Sequence, residues 1–379
     1  RTVTVPFTLS GTAANPADHD AANASISIPA GSTSGSYSFN VVGDTLDEPD
    51  ETLVFTLGAP VNATAGATAV HTVTITDDDA APTVNFSAAS QSVIEGDIGN
   101  TAVSVTASLS AASSLNVTVP FTLGGTAANP ADHDAAKASI SIPAGSYTGT
   151  YSFNVVGDTL DEVNETIIFS LGSPGNATAG ATTSHTVTIT DDDAAPVVSF
   201  TAASQSVPEG NTGNTAVAVT ASLSSVSSQT VTVPFTLGGS AANPADHDAA
   251  NASISIPAGS LSGSYSFKVA GDTLDESDET VIFSMGSPGN ATLGTNASHT
   301  VTISDDDAAP TVSFTAASQS VPEGNSGNTA VSVTASLSAA SSLNVTVPFT
   351  LGGSASNPAD HDAANGSISI PAGSLTGSY

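Results

Sequence analysis

The chain has 379 residues, and three Lys plus Arg stand against 35 Asp plus Glu, a formal net charge of −32 at pH 7. Nucleic acid and anionic membrane surfaces are excluded as partners, since binding either requires cationic side chains. There is no cysteine, and no apolar run approaches the 18 or so residues of a membrane span, so neither disulfides nor membrane insertion belong to this segment.

Read in chain order, the sequence repeats itself. Val5-Pro6-Phe7 returns at Val119, Val233 and Val347, each time 114 residues on, and Asp77-Asp78-Asp79 returns at Asp191 and Asp305 with the same spacing. A period of 114 is a whole domain rather than a solenoid unit. Residues 1–79 are expected to hold the last five strands of a domain, 80–193 and 194–307 complete domains, and 308–379 the first four or so strands of another. The chain thus reads as a window onto a longer array that continues into further identical repeats.

Residues 80–193 stand for the others. Thr83-Val-Asn-Phe, continuing to Val93, predicts the first strand, followed by runs at 101–109, 116–123, 138–142, 150–156, 166–171 and 185–190. In each, β-branched and polar residues alternate with a period of two, the pattern of an antiparallel strand with one buried face. About seven short strands without helix signals predict an all-β fold, a tandem array of immunoglobulin-like Greek-key sandwiches. Pro120 sits in mid-run, which predicts an edge strand or a bulge. Only Ala80-Ala81 separate Asp79 from Pro82, too short a connector for a flexible tether.

The acids fall in the loops. In the second repeat they are Glu95, Asp132 and Asp134, a cluster from Asp158 to Glu165, and Asp191-Asp192-Asp193. Successive loops of such a sandwich alternate between its two ends, so these could converge on one. Two carboxylates about 6 Å apart repel by roughly 0.7 kcal/mol at a dielectric constant near 80 and about 3 kcal/mol near 20. Summed over many pairs, this rivals the roughly 5–15 kcal/mol stability of a domain. With almost no Lys or Arg to neutralise them, bound cations remain, and many hard oxygen ligands select calcium over magnesium and over soft metals. A merely solubilising surface gives no reason for acids at fixed offsets in separate loops.

Val93-Ile-Glu-Gly, Gly124-Gly-Thr-Ala, Ile142-Pro-Ala-Gly, Gly157-Asp-x-x-x-Glu-x-x-Glu-Thr and Val187-Thr-Ile-x-Asp-Asp-Asp together resemble the Calx-beta motif, and the resemblance covers the entire chain. That family is known from sodium–calcium exchanger regulatory loops, integrin β4 and many bacterial surface proteins. It implies calcium ligands at Glu95, Asp132, Asp158, Glu162, Glu165, Asp191, Asp192 and Asp193 in the second repeat. In the third it implies Glu209, Asp246, Asp272, Glu276, Glu279, Asp305, Asp306 and Asp307. The first repeat retains Asp18, Asp44, Glu48, Glu51, Asp77, Asp78 and Asp79, and the fourth Glu323 and Asp360. Gly43, Gly157 and Gly271 stand where the most acidic members carry a further Asp, and His19, His133, His247 and His361 replace the Tyr usual after the ligand Asp.

Other sites are weaker. Asp132-His133-Asp134 opens like an EF-hand loop but lacks its Gly and its final Glu, and the family aromatic at that position assigns His133 to packing. His71, His185 and His299 start the last strand in phase with its inward face. No Gly-x-Ser-x-Gly elbow exists, and any catalytic group would have to recur in three repeats, so no enzyme is expected. The expected role is a calcium-stabilised structural segment of a secreted or cell-surface stalk, adhesin or filament, outside the cell. The alternatives are a calcium-sensing regulatory module or a ligand-binding adhesin region.

Overall fold

The computed structural model describes all 379 residues, and every regular element is a strand. It divides into two units, Arg1–Thr159 with Val163–Asp193, and Leu160–Glu162 with Ala194–Tyr379. In the first unit the initial repeat supplies β1 (Val3–Gly11), β2 (Ala24–Ile28), β3 (Glu51–Leu57) and β4 (Val70–Ile75), a single sheet ordered β2-β1-β3-β4. Five strands are expected there. Residues 37–42 form no strand, and Val41 makes an isolated antiparallel bridge to His19.

The second repeat contributes β5 (Thr83–Phe86), β6 (Ser90–Ile94), β7 (Gly99–Leu109), β8 (Val117–Gly125), β9 (Ser139–Ile142), β10 (Thr148–Gly157), β11 (Glu165–Leu171), β12 (Thr178–Ala179) and β13 (Ser184–Thr190). They form two sheets, β10-β7-β5-β12 and β6-β13-β11-β8-β9. Pairing is antiparallel except for β12 on β5 and β6 on β13, which are parallel. The alternation translates directly into burial. Val103, Val105, Ala107 and Leu109 of β7 face inward, as do Ile140 and Ile142 of β9 and Val187 and Ile189 of β13. Phe121 and Phe169 lie at the centre with ring centroids 5.2 Å apart, and Tyr151 packs edge-on against Phe121 at 4.9 Å. Each such side chain contributes about 1.5–3 kcal/mol through burial.

Two expectations change. The first strand is two strands in opposite sheets, because the chain bends at residues 87–89 and crosses from one layer to the other. Small residues permit the crossing, and it is pinned where Thr186 N donates to Ala89 O at 2.9 Å. The strand containing Pro120 is internal, flanked by β11 and β9, and its register runs on through Pro120, which pairs with Ser139. Gly172 N donates to Pro120 O at 2.7 Å, so the proline nitrogen faces the same side, where β11 has already ended at Leu171. The missing N–H therefore costs no ladder bond. Gly125, at the end of β8, has φ +117°, and a Cβ there would lie 2.0 Å from Thr166 O, so only glycine fits.

The second unit repeats the two-sheet plan 114 residues on, with strand orders and core positions that match. Residues 308–379 add a three-stranded and a two-stranded sheet around Ala335, Leu337, Ile368 and Ile370.

Candidate metal centre

Strand ends bring the acids together. Because β6 and β13 run parallel in register, the residues that follow them, Glu95 and Asp191–Asp193, emerge at the same end of the sheet. Glu165 opens β11 opposite Ile189 and arrives at that end as well. Asp158 follows the last residue of β10, and Val156 N donates to Asp132 O at 2.9 Å, which ties the Asp132 turn to β10. Carboxylate oxygens of Glu95, Asp158 and Asp193 lie within 4.8 Å of one another, and those of Asp132 and Glu165 are equally close.

In the first repeat Asp18, Glu48 and Glu51 lie within 4.8 Å of one another, Asp18 and Glu51 standing where the second repeat has Asp132 and Glu165. With Asp44, Asp77, Asp78 and Asp79 they line a cleft of about 110 Å³. Backbone amides hold the carboxylates in place. Ala14 N donates to Asp18, Leu46 N to Asp44 Oδ1 at 2.7 Å, and Glu48 N to Asp77 Oδ1 at 3.2 Å. The third repeat gathers Glu209, Asp306 and Asp307. There Gly210 N donates to Asp306 Oδ1 at 3.1 Å, and Glu276 N to Asp305 Oδ1 at 3.2 Å.

Three Lys plus Arg stand against 35 Asp plus Glu in the whole chain. Burial, then the charges of Asp272, Glu276, Asp305 and Asp307, push Glu209 up to about 7. Burial, a hydrogen bond with Asp18, and the charges of Asp18 and Glu48 push Glu51 up to about 7 as well. Glu279 reaches about 7 through burial and the same relation to Asp246. Glu48, Glu276, Asp79, Asp193 and Asp307 are all raised, burial first and neighbouring acids next. Groups crowded so closely, with desolvation disfavouring their charged forms, require either protons or a metal ion.

The donor set is entirely carboxylate oxygen, which suits calcium and offers nothing to soft metals. Glu209 is only 5 % exposed, yet its Oε1 has no hydrogen-bond partner, and neither does Oδ2 of Asp193 or Asp307. A buried acceptor left unsatisfied costs about 1–3 kcal/mol, more when charged. These residues fit a hard divalent cation.

Glu323 and Asp360 do not join such a group. Both are exposed, and Asp360 Oδ2 accepts from the Ser356 amide and hydroxyl. Asp134, outside the group, clips Asn154 through its amide at 2.6 Å and Nδ2 at 2.7 Å. His133 is buried against Phe153, its Nδ1 accepting from Ala135 N at 3.1 Å, in keeping with a packing role. His185 is buried too, with Nδ1 2.7 Å from Ala88 O. A Cβ on Gly157 would fall 2.0 Å from Gly96 O, and one on Gly271 2.0 Å from Gly210 O, so a further Asp has no room at these two positions, while the space beside Gly43 in the first repeat is open.

Several participants escape sequence reasoning. Asp77 N donates to Asp50 Oδ1 at 3.0 Å, Asp191 N to Asn164 Oδ1 and Asp305 N to Asp278 Oδ1 at 3.1 Å. Asn serves in one repeat and Asp in two, so what the position supplies in all three is an acceptor oxygen. Asp97 adds its charge beside Asp193, where the third repeat has Asn211 donating to Asp307.

The Calx-beta domain family model matches residues 1–79, 77–193, 191–307 and 305–375. No curated protein matches the chain. Among solved structures, CBD12 from CALX1.2 is 17% identical, with a TM-score of 0.28 over 57% of this chain and 98% of its own. The apo Calx CBD1 domain is 21% identical, with a TM-score of 0.28 over 30% of this chain and 100% of its own. The human desmocollin-1 ectodomain is 10% identical, with a TM-score of 0.24 over 99% of this chain and 66% of its own. Four family matches in tandem span nearly the whole sequence, and the chain belongs to the Calx-beta domain family.

Proposed function

We propose that this chain is a calcium-stabilised structural segment of a secreted or cell-surface stalk or filament, and that it performs no catalysis. Calx-beta domains are non-catalytic calcium-binding modules, which supports the coarser part of that reading. The observation that carries the calcium assignment is Glu209, a buried carboxylate whose Oε1 lacks any partner while Asp306 and Asp307 offer oxygens within 4.8 Å. In the first repeat Asp18, Glu48 and Glu51 would hold the ion, supported by Asp44 and Asp77–Asp79. In the second, Glu95, Asp158 and Asp193 would do so, with Asp132 and Glu165 offering a further pair. An ion bound there supplies the positive charge that the sequence withholds.

The structural role is supported by the near-identical 114-residue period and by connectors of two residues between successive repeats. A sensor that changes shape has no use for so many copies. Calcium that binds the folded acids and not the unfolded chain stabilises by about 2.7 kcal/mol per site at a hundredfold excess over Kd. Thermal melting of the full chain in calcium, in magnesium and in chelator tests this. The midpoint is expected to rise clearly in calcium and much less in magnesium. An identical midpoint in all three would end the calcium reading.

A further inference from the structure

The loop that carries Glu48 also carries Asp47, an acid that the metal groups do not use. Asp47 is buried, and it accepts a hydrogen bond of 2.5 Å from Ser113 Oγ, which lies in the next repeat. Ser114 N donates to Asp47 O at 3.0 Å, and Ser114 Oγ donates to the same carbonyl at 3.2 Å. The two segments form a parallel β-bridge, Asp47 with Ser113. In the second unit the pair occurs twice, Asp161 with Ser227 at 2.5 Å and Asp275 with Ser341 at 2.6 Å, each with the adjoining serine amide donating to the Asp carbonyl at 3.0 Å.

The serine is prepared for this acceptor. Ser113 is 1 % exposed, and Gly145 N donates to its carbonyl at 2.8 Å, which fixes it to its own repeat. Leu115 N donates to Ser113 Oγ at 3.0 Å, occupying a lone pair and leaving the one hydroxyl hydrogen for the carboxylate. Leu343 N does the same for Ser341 Oγ. A buried carboxylate in a protein with so few cations needs donors, and here the following repeat provides them.

We infer that Asp47 and the Ser113-Ser114 pair, with Asp275 and Ser341-Ser342, are clasps that dock one Calx-beta repeat onto the next without a metal ion. The partner surface is specific. It is a buried serine followed by a half-buried one, presenting a hydroxyl and an amide to an aspartate and its carbonyl, and it accepts the acidic loop of another repeat. The Ser113–Asp47 bond runs directly from hydroxyl to carboxylate, with no metal-group acid between them, while Ser342 of the second clasp also hydrogen-bonds the Glu276 carboxylate.

The test uses the full chain, which has no cysteine, with spin labels on Ser32→Cys in the first repeat and Lys137→Cys in the second, both exposed. Pulsed electron–electron distances are expected to show one narrow peak in calcium and in chelator alike. Ser113→Ala, which removes only a hydroxyl, is expected to lose the narrow peak in both solutions, and Asp47→Ala to do the same from the other side of the joint. Circular dichroism checks that both clasp variants fold, and one further variant serves as a control. Glu48→Gln, in the metal group, is expected to keep the peak. An unchanged peak in both clasp variants would overturn the inference. So would a parent chain that loses its peak on chelation, because the ion would then hold the joint. Neither result bears on whether calcium raises the melting midpoint.

Discussion

Asp47 and Glu48 are neighbours on one loop and experience opposite chemistry. Asp47 is buried and satisfied by hydroxyl and amide donors of the following repeat. Glu48 lines a cleft with Asp18, Glu51 and Asp77–Asp79, and burial, then the charges of Asp44, Asp18, Asp77 and Asp79, raises it. One peptide bond separates an acid answered by protein from an acid that requires something the protein does not contain. Negative charge alone therefore does not define the metal group, and the supply of donors around each carboxylate does.

The largest effect that separates the two classes is on the pH dependence of stability. Glu51, Glu209 and Glu279 are pushed up to about 7 in the folded chain, against an ordinary value of 4.5. Between about pH 4.5 and 7 the folded state then holds protons that the unfolded state has released. Without calcium, stability should be greatest below that window and fall as pH rises through it. For a group as buried as Glu209 the loss is on the order of 2 kcal/mol. Calcium takes the ionised carboxylates, so in its presence acidification should destabilise instead. Urea midpoints at pH 5 and 7.5, with and without calcium, check the sign reversal, and parallel curves would contradict it.

The smallest effect concerns Asp50, which accepts from Asp77 N as Asn164 accepts from Asp191 N. If this position needs an acceptor and no charge, Asp50→Asn should change stability by no more than about 0.5 kcal/mol and leave calcium affinity intact. A marked fall in affinity, read by calcium titration, would place Asp50 with the ligands.

Much of this was legible in the sequence, for identifiable reasons. Val103, Val105 and Ala107 alternate with polar residues in β7, and burial follows the alternation. The acids of the metal groups were visible because they recur at fixed offsets in the loops between largely neutral strands. The split between β5 and β6 was not, since Ser87-Ala-Ala continues an unbroken run of small residues and only the sheet partners reveal the crossing. Pro120 misled because the cost of its missing N–H depends on where β11 ends, a tertiary fact. Asp47 was hidden among the acids from Asp44 to Glu51. What sets it apart is a serine 66 residues later, and no local pattern announces that.

The comparison between the two neighbours can be put to a single measurement. Calorimetric titration of the full chain with calcium would be run on the parent, Glu48→Gln and Asp47→Asn. The account predicts that Glu48→Gln loses the part of the binding that belongs to the first repeat, while Asp47→Asn titrates like the parent. Equal losses in both variants, or none in either, would contradict the division of this loop into a metal-facing acid and a protein-facing one.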